Sequence, residues 1–239
     1  MWTWAPHACW NKGRVTSMSA NPRNDDLDRL VANLSRSWKD PRDQILLANS
    51  IRALDTRYSL GRKMANERGV EGILAQMLGR LANSFGRLWV IQGKRILDIA
   101  CGSNTSKAPA SLYIDTPFGE LTIGRASKGY TSQFEPWFCR ILLELGATPV
   151  GVDFGDLESE LFSHHRVDLG KEGALDFLPD HSFDAVQDSR LFGSPEFTAQ
   201  FKNQADHMRV AQEIRRQERR LLKPTGLVIH SDAEALLRR

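Results

Sequence analysis

Four short segments of the 239-residue chain place small or acidic residues where a sheet could gather them. Ile96-Leu97-Asp98-Ile99-Ala100 reads as a buried strand and runs into a turn of small residues, Cys101-Gly102-Ser103-Asn104-Thr105. Thr148–Asp153 reads as a second strand closing on an acid, and Arg166-Val167-Asp168-Leu169 as a third that also carries one. A fourth begins at Ser182-Phe183-Asp184-Ala185-Val186, after Leu178-Pro179-Asp180-His181. In a doubly wound sheet the carboxyl ends of the strands line one crevice, where ligands bind. A turn of small residues lets backbone approach such a ligand, and an acid ending the second strand can accept hydrogen bonds from both hydroxyls of a ribose.

Those strands need helices to cross between them, and the chain supplies them. Phe134–Leu145 has a helical pattern ending at Gly146, a C-cap signal. Ser194-Pro195 reads as an N-cap followed by proline at the first helical position, opening a helix to Leu222. Lys223-Pro224-Thr225-Gly226 then turns into a fifth strand at Leu227–His230. Strands alternating with helices imply an α/β fold with a doubly wound, mostly parallel sheet. Ahead of it, residues 24–92 form an N-terminal helical extension. Leu27, Leu30, Val31 and Leu34 fall on one helix face, Ile45–Leu54 belong to a stretch over 41–65, and a longer stripe runs from Val70 to Leu88. The expected division is a disordered tail at 1–23, the extension at 24–92 and the ligand-binding α/β domain at 93–239.

Composition narrows the function. The 32 Lys plus Arg exceed the 29 Asp plus Glu by three, and Lys12, Arg14 and Arg23 in the acid-free first 23 residues account for all of that excess. A neutral body argues against nucleic acid as a partner, which needs basic side chains gathered on one face. No apolar run reaches the roughly 18 residues that a spanning helix needs, so no membrane partner is expected. Three widely spaced cysteines without a CxxC fit a reduced, cytoplasmic setting. His164 and His165 point apart in a strand and have no third ligand in view, so no metal is expected.

The segments ILDIACGSNTS, GATPVGVD, VDL, FLPDHSFDAV and ERRLLKPTGLVI, in that order, resemble the class I S-adenosylmethionine-dependent methyltransferases. The resemblance covers about residues 94–232 and is greatest to the small-molecule branch with an LPFxDxSFD signature. It implies a Rossmann-like domain with S-adenosylmethionine as co-substrate and a small-molecule acceptor. Gly102 and Asn104 would line the methionine end of the cofactor, with Asp98 nearby. Asp153 would hold the ribose, Phe154 would lie beside the adenine, and Asp168, or alternatively Asp176, would meet the adenine amino group. Asp188, at the crevice end of the fourth strand, is the candidate base, with Arg190 a possible anchor for an anionic acceptor.

The sequence departs from that family in three places. Asn104 stands where a glycine is usual. About 25 extra residues, Ser106 to Tyr130, form a loop or hairpin that is either a substrate lid or a plain insertion. Only Ser231–Arg239 follow the fifth strand, so the sheet is expected to lack its last strand pair, leaving an edge for a second subunit, another partner or the helical extension to cover. These departures motivate a rival, a degenerate methyltransferase-like protein that binds the cofactor or nothing and works through protein contacts. A dinucleotide dehydrogenase needs GxGxxG with an acid about 20 residues on. Here the turn has one glycine, and Asp153 lies 51 residues beyond it.

Overall fold

The computed structural model describes residues 22–66, 69–103, 111–116, 119–125, 132–188 and 191–238. The tail reading at 1–23 therefore falls almost wholly outside the described residues, as do Asn104 and Arg190.

Four helices open the chain: α1 (Pro22–Ser35), α2 (Pro41–Tyr58), α3 (Leu60–Asn66) and α4 (Gly69–Phe85). Asp40 caps α2 by accepting from the Arg42 N–H at 2.9 Å, with Pro41 in the first turn. The stretch expected to be one helix over 41–65 is two. Ser59 takes the left-handed conformation (φ 53°), which ends α2 and starts α3 in a new direction. No proline marks that break, and Gly61, two residues on, donates its N–H to Asp55 Oδ1 at 2.8 Å.

The sheet consists of β1 (Arg95–Ile99), then, beyond a separate antiparallel pair β2 (Ser111–Thr116) and β3 (Gly119–Arg125), β4 (Thr148–Asp153), β5 (Ser163–Arg166), β6 (Phe183–Asp188) and β7 (Leu222–Ser231). Its order is β5-β4-β1-β6-β7 and every pairing in it is parallel. Between strands come α5 (Trp137–Glu144), α6 (Pro195–Gln200) and α7 (Gln204–Leu221), and α8 (Asp232–Leu237) follows β7. The fold is α/β and Rossmann-like, with a five-stranded parallel sheet behind an N-terminal set of helices. The extra residues after the first strand contain the β2–β3 hairpin.

Alternation along the strands sorts the core. Ile96, Ala185 and Ile229 face one way and join Leu47, Ile51, Leu74, Leu81, Trp137 and Phe138 in a cluster that includes the helical extension. Leu97, Ile99, Val150 and Val186 face the other way and pack under Val210, Ile214 and Leu221 of α7. The extension and α5 therefore cover one face of the sheet while α6, α7 and α8 cover the other.

Three boundaries differ from the sequence reading. The third strand lies at Ser163–Arg166, three residues before the expected start at Arg166. The long helix after Ser194 breaks at Phe201 and restarts at the Asn203 cap, giving α6 and α7. And Lys223–Gly226 do not separate helix from strand. α7 passes directly into β7, and the partner of β6 jumps from Leu222 opposite Phe183 to Leu227 opposite Ala185, so those residues bulge out of the strand.

Candidate functional site

At the carboxyl ends of β1, β4 and β5 lies a cavity of about 590 Å³, lined among others by Gly102, Ser103, Asp153, Phe154, Asp168 and Phe197. Its floor is the turn after β1. Ala100 there holds φ at +59°, a left-handed conformation costing an L-residue roughly 1–2 kcal/mol. Gly102 follows at φ +94°, and a β-carbon on it would lie 2.2 Å from the Phe134 carbonyl oxygen. The glycine is thus required by the approach of another part of the chain. The Ser132–Phe134 turn closes over it, with the Ser103 N–H donating to the Phe134 carbonyl at 3.0 Å. Ser103 in turn fills the space beside Gly155, where a β-carbon would lie 2.1 Å from its Oγ.

Asp153 ties these pieces together. Its Oδ2 accepts from the Gly102 N–H and its Oδ1 from the Gly155 N–H, both at 2.9 Å. Burial pushes its carboxyl up, and these backbone bonds hold it back. A carboxylate has about four lone-pair sites, so these bonds leave it acceptor capacity, although the Phe154 N–H also bears on it. Beside it, Phe154 leaves 54% of its surface exposed, and the Arg166 guanidinium sits 5.7 Å from the ring centre while its Nε donates to the Phe154 carbonyl. Asp168, in the loop after β5, accepts from the Gly170 N–H at 3.1 Å and lies 3.8 Å from Lys171.

The remaining candidates lie elsewhere. Asp98 is buried between strands, where its Oδ1 accepts from Gln187 Nε2 at 3.3 Å and its Oδ2 from the Cys139 thiol at 3.7 Å. Asp176 accepts from Gln217 Nε2 at 2.6 Å on α7, away from the residues lining the cavity. His164 meets the Phe162 carbonyl and His165 packs on Phe177, so the two rings have different surroundings. Asp188 is fully buried and caps α8. It accepts from Asp232 N–H at 2.7 Å, Ala233 N–H at 3.1 Å and Ser231 Oγ at 2.9 Å. Three donors from the start of one helix make it an anchor for that helix, and we give it no part in a reaction.

Behind Asp188, Glu218 is fully buried and, among the described residues, has no hydrogen-bond partner on Oε1, while its Oε2 meets Arg215 and Ser231. Burial, with Asp188 close by, pushes its carboxyl up to about 7 from the usual 4.5. The folded state then keeps a proton that the unfolded chain has released. Stability should therefore fall as pH rises from about 4.5 to about 7, by on the order of 1–3 kcal/mol, and level off above. Glu218→Gln should lose that slope, so the difference between variant and parent in denaturant titrations should change across this range. Parallel curves across this range would contradict the assignment.

Sequence reasoning missed the far wall. Leu191, Ser194, Phe197 and Gln200 line the cavity from the start of α6, a segment legible only as a capped helix start. It also missed the cluster behind Phe134. Arg140 Nη1 pairs with Glu135, its Nη2 reaches Glu160 at 2.6 Å, and Lys63 Nζ bonds Glu135 at 2.7 Å. The Arg140 guanidinium lies 4.0 Å from the Tyr58 ring centre and 4.8 Å from that of Trp137. No local spacing announces this cluster, because Lys63 and Glu135 are 72 residues apart.

No family model matches the sequence, and no curated protein matches it. Among solved structures, the trans-methyltransferase CalH in complex with SAH is similar over 85% of this chain, with 13% identity and a TM-score of 0.30. The chain spans about half of that protein, 52% of its length. A likeness of that size leaves the Rossmann-like fold resting on its own strand order. No helix among the described residues is long and apolar enough to cross a membrane.

Proposed function

We propose that the chain is an S-adenosylmethionine-dependent methyltransferase of the class I type, acting on a small-molecule acceptor. One observation carries this reading. Asp153 stands at the end of the second strand of the sheet, pinned through both carboxylate oxygens to Gly102 and Gly155 on the floor of the cavity. An acid so held accepts hydrogen bonds from two vicinal hydroxyls, the recognition element of a ribose. Phe154 offers an open aromatic face next to it for a purine ring, and Asp168 an acceptor for an exocyclic amino group. The cavity volume lies in the range of small-molecule and cofactor sites.

Bound there, S-adenosylmethionine would supply a methyl group already activated by its sulfonium. The chain's own task is then to shape the cavity, exclude water and hold an acceptor in line, with a base needed only where the acceptor atom carries a proton. A reducing compartment such as the cytoplasm suits Cys101 and Cys139, free buried thiols that both lie against Gly151.

The test is incubation with methyl-labelled S-adenosylmethionine and a cell extract, separated afterwards into small molecules, protein and nucleic acid. Label in the small-molecule fraction is the expected result. Label confined to protein or nucleic acid would overturn the acceptor class. Cofactor binding without any transfer of label would favour the rival, a cofactor-binding protein that acts through protein contacts.

A further inference from the structure

The left-handed Ser59 sends a side chain from each side of itself into the cluster behind Phe134. Tyr58, the last residue of α2, meets the Trp137 ring edge-on at 6.4 Å and lies against the Arg140 guanidinium. Lys63, near the start of α3, donates its backbone N–H to the Ser59 carbonyl at 3.0 Å. Its ammonium bonds Glu135 at 2.7 Å and lies 5.4 Å from the Trp137 ring centre. A serine at φ 53° is a strained way to turn between helices, and such strain persists where the surroundings fix it. Here it delivers Tyr58 and Lys63 to one place.

What they hold is the turn over the cavity floor. The Trp137 indole N–H donates to the Ser132 carbonyl at 2.6 Å, which ties one end of that turn. Glu135 ties the other through Lys63 and Arg140. Between the two ends lies the peptide that Gly102 packs on, since a β-carbon on Gly102 would meet the Phe134 carbonyl oxygen at 2.2 Å and the Glu135 carbonyl at 3.1 Å. Gly102 in turn donates its N–H to Asp153. A short chain of contacts therefore leads from Lys63 through Glu135 and Gly102 to the carboxylate on the floor.

Charge singles out Lys63 within that chain. Arg140 spans Glu135 and Glu160, so two carboxylates share one guanidinium, and the Lys63 ammonium brings the four groups to neutrality. Removing it leaves one carboxylate in a dry site without a countercharge. Glu135, the one that it pairs with, is also the one whose backbone Gly102 touches. Of the four, Lys63 alone belongs to the helical extension.

We propose that Lys63 is a positioning residue for the cavity floor. Through Glu135 it keeps the Phe134–Glu135 peptide seated on Gly102, and so sets how tightly S-adenosylmethionine is held although it does not line the cavity. The identity of the ligand rests on the methyltransferase reading, whereas the hold on Gly102 does not.

Lys63→Met and Lys63→Arg in the full chain test this with two readouts. In calorimetry at a temperature where both are folded, S-adenosylhomocysteine should bind Lys63→Met roughly fivefold or more weakly and Lys63→Arg within about twofold of the parent. In the ligand-free protein, the amide resonances of Gly102 and Ser103 should move in Lys63→Met and return to their parental positions in Lys63→Arg. A role in stability alone predicts otherwise, because a chain that is still folded at the temperature of measurement binds as before, however far its melting point has dropped. Unmoved Gly102 and Ser103 resonances would overturn the proposal, as would a parental affinity in Lys63→Met or an equal loss in both variants. If Lys63→Met does not fold, Lys63→Gln, which keeps a donor and loses the charge, must meet the same criteria. A parent protein that does not bind S-adenosylhomocysteine would overturn the methyltransferase reading, and the resonances would still decide whether Lys63 holds the floor.

Discussion

Replacing Arg140 by methionine should lower the free energy of unfolding by roughly 3–5 kcal/mol, the loss expected when one partner of a buried ionic cluster is removed. Glu135 and Glu160 are nearly inaccessible to water, and Arg140 is the cation that meets both. Lys63 also pairs with Glu135, but its side chain is 23% exposed and it makes no contact with Glu160 that could replace the arginine. Methionine fills much of the space between Tyr58 and Trp137 while leaving two carboxylates in a dry site. Denaturant titration at neutral pH measures the loss. A loss below about 1 kcal/mol at neutral pH would mean that water reaches the cluster.

The same cluster explains why the helical extension belongs with the cavity. Tyr58 ends α2, Lys63 lies in α3, and Glu135 immediately follows the Phe134 carbonyl that closes over Gly102. Packing continues the connection, since one hydrophobic cluster runs from Leu30 through Trp137 to Ile229. The extension differs in sequence texture from the α/β part, yet it supports the turn that roofs the site.

Much of this architecture can be read in the sequence, for physical reasons. β1, β4 and β6 are central strands buried on both faces, so they appear as short apolar runs with sharp ends, and their boundaries fall within a residue of expectation. β5 lies at the edge of the sheet and is the polar Ser163-His164-His165-Arg166, whereas Val167 and Leu169 beyond it pack on the core from a loop. The apolar signal therefore pointed three residues too far along, although Asp168 still reaches the cavity because the loop carries it there.

Other features have no local signature. The break at Ser59 relies on a left-handed serine, and the one at Phe201 on a second cap at Asn203 within a continuous helical pattern. Asp188 stands at the end of a strand, where a reacting group would also stand. Only the three-dimensional return of β7 and α8 shows that its oxygens bind the first N–H groups of the next helix.

The central claim is that Asp153 holds the ribose of S-adenosylmethionine in the cavity at the ends of β1 and β4. Titrating S-adenosylhomocysteine into the parent protein and into Asp153→Ala, side by side in a calorimeter, tests it most directly. The substitution removes the carboxylate that would accept from the ribose hydroxyls. It also frees the Gly102 and Gly155 N–H groups that the carboxylate now fixes, so both recognition and the shape of the floor suffer. The account predicts saturable binding to the parent protein and at least tenfold weaker binding to the variant, about 1.4 kcal/mol or more, with the variant still unfolding cooperatively on heating. A well-folded parent protein that gives no binding heat at several temperatures, or a variant of equal affinity, would contradict it.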